Sequence, residues 1–497
     1  MFESIKTFFQ NNRGTIIILG IFVFCGGFLR LYNLGEQSLW IDEGYTINAS
    51  QGIVEYGYPL LDSGKTYDAH KLHNYITAGS MKLFGFDAQN PWSARLPAAL
   101  FGILSILAVF FFTKRVTSSL FTSLSASFLM TFSYWEIAWS RQARGYADMQ
   151  FFILLSFAFF YSWLENKKII NGLLAILFLV LSYFSHGVAL IFIPAYFVIF
   201  IIHGISSGKI KEWLSFSTIG FLVILGVFGT WILYRILPSI VTYSYVDNYV
   251  SFLSGDLKYI SLAVIFVLFG LFFGKKIFWK SVYLIGIILP TIIIVIFYSQ
   301  VIQTRYLLAI FPFLLITGAY GLYLIVYKKE YIKPEYKMIL YFIIIGAVAF
   351  TTSTFIPQSI YNLESGSPQP NFKKAYTIIN NLKKNGDVII SPYTHLSKIY
   401  LDDKGLWLPI SLTGRTSEIT ANTINGGDYY TGAPIIPDQT ALENILNTMH
   451  GYIVIDSMAK VRLKGLLTAI INHPRVTLLY DNKSATNDVV AVYSFGI

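Results

Sequence analysis

Long apolar runs separated by short polar or basic intervals dominate the first 356 residues. They lie near 15–34, 95–113, 118–134, 149–164, 169–185, 187–203, 215–236, 259–274, 281–298, 306–327 and 338–356. A helix needs about 20 apolar residues to cross a hydrocarbon layer of ~30 Å, and most of these runs approach that length. The pattern predicts an α-helical polytopic membrane protein of about eleven transmembrane helices. The interval 35–94 is too long for a simple connector. Its segments 42–56 and 70–85 mix aromatic and polar residues at helical spacing, as helices on a membrane surface do. Another interval, 237–258, is Tyr-rich and suits the headgroup zone.

After about Pro357 the pattern changes. "GDVIISPYTHLSKIYL" reads as strand, turn and helix, while "HGYIVIDS" and "VTLLYDNKSATNDVVAVYSF" read as further strands. Strands interleaved with helical patterns predict a small α/β domain over 357–497, beside a membrane domain over 1–356. The tail has neither a glycine-rich phosphate loop nor a nucleophile elbow, so a supporting or acceptor-binding role is expected of it.

Composition agrees with a membrane chain and excludes an ordinary soluble protein. Hydrophobic residues make up 55%, aromatic residues 17% and charged residues 13%, with a mean hydropathy of +0.57. The basic flank "MFESIKTFFQNNRG" is followed by no small-residue cleavage pattern, so the first run reads as an anchor. Cys25 is the only cysteine, which excludes an intrachain disulfide. The net charge of +10 fits basic loops at membrane ends better than nucleic-acid binding. No strong internal repeat is visible, which argues against a transporter built from two halves.

Charge changes the picture by setting orientation. With eleven spans, one set of loops holds fifteen basic residues, among them Lys114, Arg115, Lys167, Lys168, Lys275 and Lys276, against ten at the opposite ends. The positive-inside rule places the first set in the cytoplasm. The interval 35–94 and the tail are then expected on the extracytoplasmic side.

The outer side carries the candidate chemistry. "SLWIDEGYTINAS" sets Asp42 and Glu43 directly after the first run, beside Tyr45. "WSRQARGYADMQ" contributes Arg141, Arg144 and Tyr146, the two arginines sharing a face if the segment is helical. "QTRYLLAIFP" contributes Arg305 and Tyr306, "YDAHKLHNYI" contributes His70, Lys71 and His73, and "SYFSHGVALI" contributes His186. The arginine fork suits phosphate oxygens. Cations beside two carboxylates point to an anionic ligand and a base in one cleft. Asp68, His70 and His73 have a loose metal-ligand spacing, but the cations already suit a phosphate, so no metal is expected.

"LWIDEGYT", "PWSARLPAALFGIL", "AWSRQARGY", "SHGVALI" and "TRYLLAIFPFLL", in that order, resemble dolichyl-phosphate-mannose protein mannosyltransferases and their bacterial relatives, including aminoarabinose transferases, of the glycosyltransferase C superfamily. The resemblance covers roughly residues 15–330. It implies transfer of a sugar from a polyprenyl-phosphate carrier to a protein, lipid or glycan acceptor on the outer face of the cell membrane. It makes Asp42 the base, with Glu43 beside it. Arg141, Arg144, Arg305 and Lys71 become donor-phosphate candidates, and Tyr45, His70, His73, Tyr146, His186 and Tyr306 substrate contacts. Where many relatives have a Pro-Pro-Leu stretch, this chain has "HKLHNY" at 70–75. An outer-face carboxylate suits an inverting single displacement. The alternatives are a transporter or flippase for a lipid-linked or anionic substrate, or an envelope receptor built on the tail.

Overall fold

Helices follow the apolar runs. A computed structural model describes residues 13–207, 278–298, 304–328, 333–353, 370–410, 423–424, 426–481 and 489–497. In chain order the helices are α1 Arg13–Leu31, α2 Ile41–Tyr56, α3 Lys71–Phe84, α4 Trp92–Thr117, α5 Leu120–Phe132, α6 Tyr134–Ser140, α7 Tyr146–Asn166, α8 Ile169–Ser185, α9 Ile193–Ser207, α10 Phe278–Tyr298, α11 Phe311–Lys328 and α12 Pro334–Ser353. The expected spans 215–236 and 259–274, and the Tyr-rich interval 237–258, lie outside the described residues. The runs 187–203 and 306–327 depart from a single helix. Each opens with a 3-10 turn, Gly187–Phe192 and Thr304–Ala309 respectively. The α-helix begins only beyond it, with Pro194 or Pro312 in its first turn, where a missing N–H leaves no bond unmade.

The chain divides into two units. One takes in Met1–Arg30, Ala98–Ser140 and Gly145–Phe355, the other Leu31–Pro97, Arg141–Arg144 and Ile356–Ile497. The first unit is a multi-pass membrane bundle. Among the described residues, four helical segments are long and apolar enough to cross a membrane, and shorter apolar helices accompany them. Its core is aromatic: Phe157 stacks on Tyr196 with centroids 4.4 Å apart and meets Phe313 edge-on at 5.4 Å. Hydroxyls join the helices, as in lipid, where apolar contact alone gives little preference for protein over lipid. Tyr283 donates to the Phe157 carbonyl at 2.6 Å and Ser182 to that of Met149 at 2.9 Å. The buried Arg30 donates to the carbonyls of Met130 and Thr131, at the end of α5, at 3.1 and 3.3 Å. Ile17, Ile21, Phe24 and Phe28 make an exposed apolar stripe along α1, and Leu173 and Leu177 continue one along α8. Such surface is costly in water and natural against acyl chains.

The second unit joins the first loop to the tail. Its tail elements are α13 Phe372–Leu382, β1 Val388–Ser391, α14 Thr394–Leu401, β2 Leu406–Trp407, β3 Thr423–Ile424, β4 Gly427–Asp428, α15 Gln439–Thr448, β5 Gly451–Asp456, α16 Ser457–Arg462, α17 Lys464–Asn472, β6 Val476–Asp481 and β7 Val490–Phe495. The five-stranded sheet runs β2-β1-β5-β7-β6. Strands β2, β1 and β5 are parallel; β7 is antiparallel to β5 and β6. Every residue of β5 and β7 is buried, as expected of strands covered on both faces. Ile390, Ile453, Ile455 and Ala491 pack with Leu442, Leu446 and Ile470 on one face. Ile389, Tyr452, Val454 and Val492 pack with Phe372, Tyr376, Leu396 and Tyr400 on the other. That second cluster also contains Leu39, Ile47, Met81, Ala94 and Ala143. The acid-bearing loop is therefore part of the tail's own hydrophobic core.

The docking explains the glycine after the two acids. A Cβ on Gly44 would lie 2.4 Å from His395 Cδ2 and 2.9 Å from Leu396 Cδ2. Both neighbours are buried, so neither can swing away. Gly44→Ala should destabilise the second unit by about 1–3 kcal/mol, the usual cost of overpacking. Thermal unfolding of the purified protein checks this, and an unchanged midpoint would mean that α14 yields at no cost.

Candidate active site

The two adjacent acids have different environments. Trp40 is the N-cap of α2, which puts Asp42 and Glu43 in its first turn, where the helix dipole favours carboxylates. Glu43 reaches back to accept the Trp40 N–H at 2.9 Å, the return half of a capping box. Its carboxylate is fully buried against Arg95, itself 1% exposed. Arg95 Nε and Nη2 donate to Glu43 Oε1 and Oε2, both at 2.8 Å, and the Ala143 N–H adds a further 2.8 Å bond to Oε1. Each Glu43 oxygen therefore takes two hydrogen bonds. Arg95 uses its remaining donors on the carbonyls of Leu34, Gln37 and Ser38, at 2.9–3.0 Å. All five of its N–H groups are occupied.

Asp42 faces the other way, with its side chain 20% exposed. Arg144 Nη2 lies 3.8 Å from Asp42 Oδ2. Arg144 Nη1 donates to the Asp42 carbonyl and to Thr46 Oγ1, both at 3.2 Å. Arg144 Nη2 also meets His70 Nε2 at 3.2 Å. A guanidinium only donates, so His70 Nε2 accepts and that ring is neutral.

The tail completes the surroundings. His395 Nε2 donates to the Ile41 carbonyl at 3.0 Å, Tyr400 OH accepts from Leu39 N at 3.0 Å, and Ser38 Oγ accepts from Lys373 N at 3.1 Å. Tyr45 lies between two tail rings, 4.2 Å from His395 and stacked at 4.1 Å on Tyr430. Its pKa is well above the ordinary value, through desolvation first and then the charges of Tyr430, Asp42 and Asp428. Burial pushes the His395 pKa down to about 4, despite opposing pulls from Asp428, the Ile41 carbonyl and Asp42.

The other sequence candidates disperse. Residues 141–145 are turn and bend, so the shared helical face expected for Arg141 and Arg144 does not form. Arg141 instead grips the carbonyls of Tyr32 and Asn33, just beyond α1, at 2.6 and 3.0 Å. Lys71 pairs with Asp68 at 2.8 Å on the surface. His73 is buried within α3, 3.4 Å from Thr77 Oγ1. In the first unit Tyr146 stacks on His186 at 4.3 Å, and His186 Nδ1 accepts from Val188 N at 3.2 Å to cap the 3-10 turn. Arg305 is half-buried on Thr304–Ala309, and Tyr306 packs against the aromatic core. Among the described residues no three His, Cys, Asp or Glu side chains gather as a metal site. Sequence reasoning left out Arg95, His395 and Tyr430. Arg95 stands in the quoted "PWSARLPAALFGIL" and could have been chosen as a cation near the acids. The other two are in a tail segment with no local motif.

Comparison with known proteins agrees with this architecture. The family model of dolichyl-phosphate-mannose-protein mannosyltransferases matches residues 71–234. The crystal structure of apo ArnT from Cupriavidus metallidurans superposes with a TM-score of 0.57 at 11% identity, over 97% of this chain and 98% of that one. Its complex with undecaprenyl phosphate gives 0.56 at 11% identity over the same shares. The oligosaccharyltransferase AglB of Archaeoglobus fulgidus, in complex with an inhibitory peptide and a dolichol-phosphate, gives 0.61 at 11% identity, over 93% of this chain and 72% of that one. A curated relative, an uncharacterized protein of Aquifex aeolicus (strain VF5), is 24% identical over 213 residues, a match spanning 42% of each chain. The chain shares the fold of these structures: a polytopic helical membrane domain with a C-terminal α/β domain.

Two outcomes follow. Arg95→Met leaves Glu43 buried without its cation and should destabilise the second unit by about 3–5 kcal/mol; thermal unfolding in detergent reads this, and a wild-type midpoint would show that the pair adds no stability. For His395, a folded pKa below the unfolded value of about 6.5 means that the unfolded chain binds the extra proton. Its contribution is complete above pH ~6.5 and is lost as pH falls towards the folded value of about 4. The stability difference between wild type and His395→Gln should therefore shrink across that window, and a pH-independent difference would rule out this linkage.

Proposed function

We propose that the protein is a membrane glycosyltransferase that moves a sugar from a polyprenyl-phosphate carrier to a protein, lipid or glycan acceptor on the extracytoplasmic face, with inversion at the anomeric carbon. The observation that carries the reading is the division of labour at the start of α2. A saturated Glu43–Arg95 pair fixes the helix, and the neighbouring Asp42 carboxylate keeps solvent access beside Arg144. The fold likeness to ArnT, one of whose structures holds undecaprenyl phosphate, supports a carrier of that class.

In the proposed step the acceptor O–H or N–H gives its proton to Asp42 as its heavy atom attacks the anomeric carbon. The bond from that carbon to the carrier phosphate breaks, and its electron pair leaves with the polyprenyl phosphate. Arg144 holds the Asp42 backbone and carboxylate in place and keeps positive potential at the centre. Glu43, with both oxygens doubly bonded, positions rather than reacts, and Arg141 anchors the chain after α1. Arg305 is the candidate for the carrier phosphate in the first unit, since bidentate guanidinium contacts suit phosphate. No metal is assigned a role.

Asp42→Asn should fold normally and lose roughly 10²–10⁴-fold in kcat, the usual worth of a general base. The assay uses the lipid-linked sugar identified by mass spectrometry of lipids that copurify with the protein. Wild-type turnover in the purified variant would remove Asp42 from the role.

A further inference from the structure

We infer that Glu136 is a positioning residue for Arg305, acting through Gln150 on the 3-10 turn Thr304–Ala309 that carries the arginine. This role rests on the reading of Arg305 as the contact for the carrier phosphate. All three residues belong to the first unit. The Gln150 carboxamide, on α7, uses one nitrogen twice. Gln150 Nε2 donates to Glu136 Oε1 at 2.9 Å and to the Leu308 carbonyl at 2.8 Å. Both partners are acceptors, so only the NH2 end of the amide can serve them together. Glu136 and Gln150 are 3% and 1% exposed, which leaves no room for bulk water to replace either bond.

The sequence explains why the Leu308 carbonyl takes a side-chain donor. In an α-helix that carbonyl would accept the N–H four residues on, and residue 312 is a proline, which has none. Gln150 supplies the missing hydrogen. Residue 308 also sits one full 3-10 turn after residue 305, on the same face. The clamp therefore holds the stretch of backbone from which the Arg305 side chain springs. Leu307, Leu308, Ala309 and Ile310 are buried, while Arg305 and Tyr306 are half-buried. The turn has a fixed buried end and a partly open one.

The other end of the clamp is anchored as well. Glu136 lies on the short helix α6, where Ser140 Oγ donates to the Glu136 carbonyl at 2.6 Å. A Cβ on Gly102 of α4 would stand 2.5 Å from Ser140 Cβ and 3.0 Å from Arg30 Nε. Glycine at 102 thus lets α6 and Arg30 close against α4. Arg30 is the positive charge that acts on Glu136, and it is itself held by the carbonyls of Met130 and Thr131. Glu136 is the fixed end of a chain whose other end is the Arg305 turn. Packing alone would be served better by an apolar side chain, since a buried carboxyl costs free energy unless it is hydrogen-bonded. A carboxyl oxygen accepts whether the group is ionised or protonated, so the role is that of an acceptor.

The test uses the full-length protein in lipid nanodiscs, with undecaprenyl phosphate as the probe and no sugar present. Gln150→Met keeps the side-chain length and removes both hydrogen bonds. It should weaken undecaprenyl phosphate binding roughly tenfold, as a small misplacement of a contact group does. It should also speed amide hydrogen exchange across residues 305–310. Glu136→Met should act in the same direction, and Glu136→Gln, which keeps an acceptor, should recover most of the affinity. In an Arg305→Met background, Gln150→Met should add less than about twofold, because changes that act through one contact are not additive. Thermal midpoints report folding. The double variant, Glu136→Met with Gln150→Met, removes both polar partners together and stands in for a single variant that unfolds. Wild-type affinity in a folded variant, or an undiminished loss in the Arg305→Met background, overturns the role. Unfolding of the double variant also overturns it, by showing that the network serves the fold as a whole. Absence of undecaprenyl phosphate binding to wild type removes Arg305 as a phosphate contact, and this role with it. Absent sugar transfer, with lipid binding and its coupling to Gln150 intact, removes the transferase reading alone.

Discussion

The buried ion pair between Glu43 and Arg95 is the constraint on which the second unit depends. Desolvating two charges is costly, and the cost is offset only when geometry is good and every remaining hydrogen-bonding position is filled. Here both conditions hold: the guanidinium makes five bonds and the carboxylate accepts four. Those partners include backbone groups of Leu34, Gln37, Ser38, Trp40 and Ala143. One charge pair thus gathers the chain after α1, the first turn of α2, the start of α4 and the short segment before α7.

That arrangement gives the α/β tail its place. In sheets with parallel strands, ligands usually settle beyond the carboxyl ends of the strands. Here the segment after β1, with His395 and Tyr400 on α14, makes contact with Leu39, Ile41 and Gly44. The edge that would otherwise receive a small molecule receives the acid-bearing helix of the same chain. The tail contacts α2 through His395 and Leu396 and sets the Tyr430 ring against that of Tyr45.

How much of this was legible in the sequence depends on the range of the interactions. The described helices follow apolar runs because lipid demands local hydrogen bonding, and the tail strands follow β-branched alternation. The two acids at 42 and 43 were visible as a candidate site. Their unequal roles were not, because Glu43 is defined by Arg95 and Ala143, 52 and 100 residues away. Arg141 and Arg144 looked like one cationic face at a spacing of three. The segment instead turns just before α7, with Gly145 as its N-cap, and sends one arginine to the carbonyls after α1 and the other to Asp42. Tyr430 had no local signal at all, since its partner Tyr45 is 385 positions earlier in the chain.

The same hydrogen bonds decide which group near Asp42 can accept a proton. His70 already accepts from Arg144 through Nε2, and His395 directs its Nε2–H at the Ile41 carbonyl. His395 is in addition held neutral by burial to about pH 4, so adding a proton there opposes the fold. Glu43 has no oxygen without two donors. Asp68 is engaged by Lys71 at 2.8 Å on an exposed part of the second unit. Among these groups, the Asp42 carboxylate is the one that is partly exposed, 20%, with the Arg144 guanidinium 3.8 Å away. For the base proposed above, this is the useful combination: Glu43 carries the hydrogen bonds of the scaffold, and the neighbouring Asp42 carboxylate stays partly open to solvent.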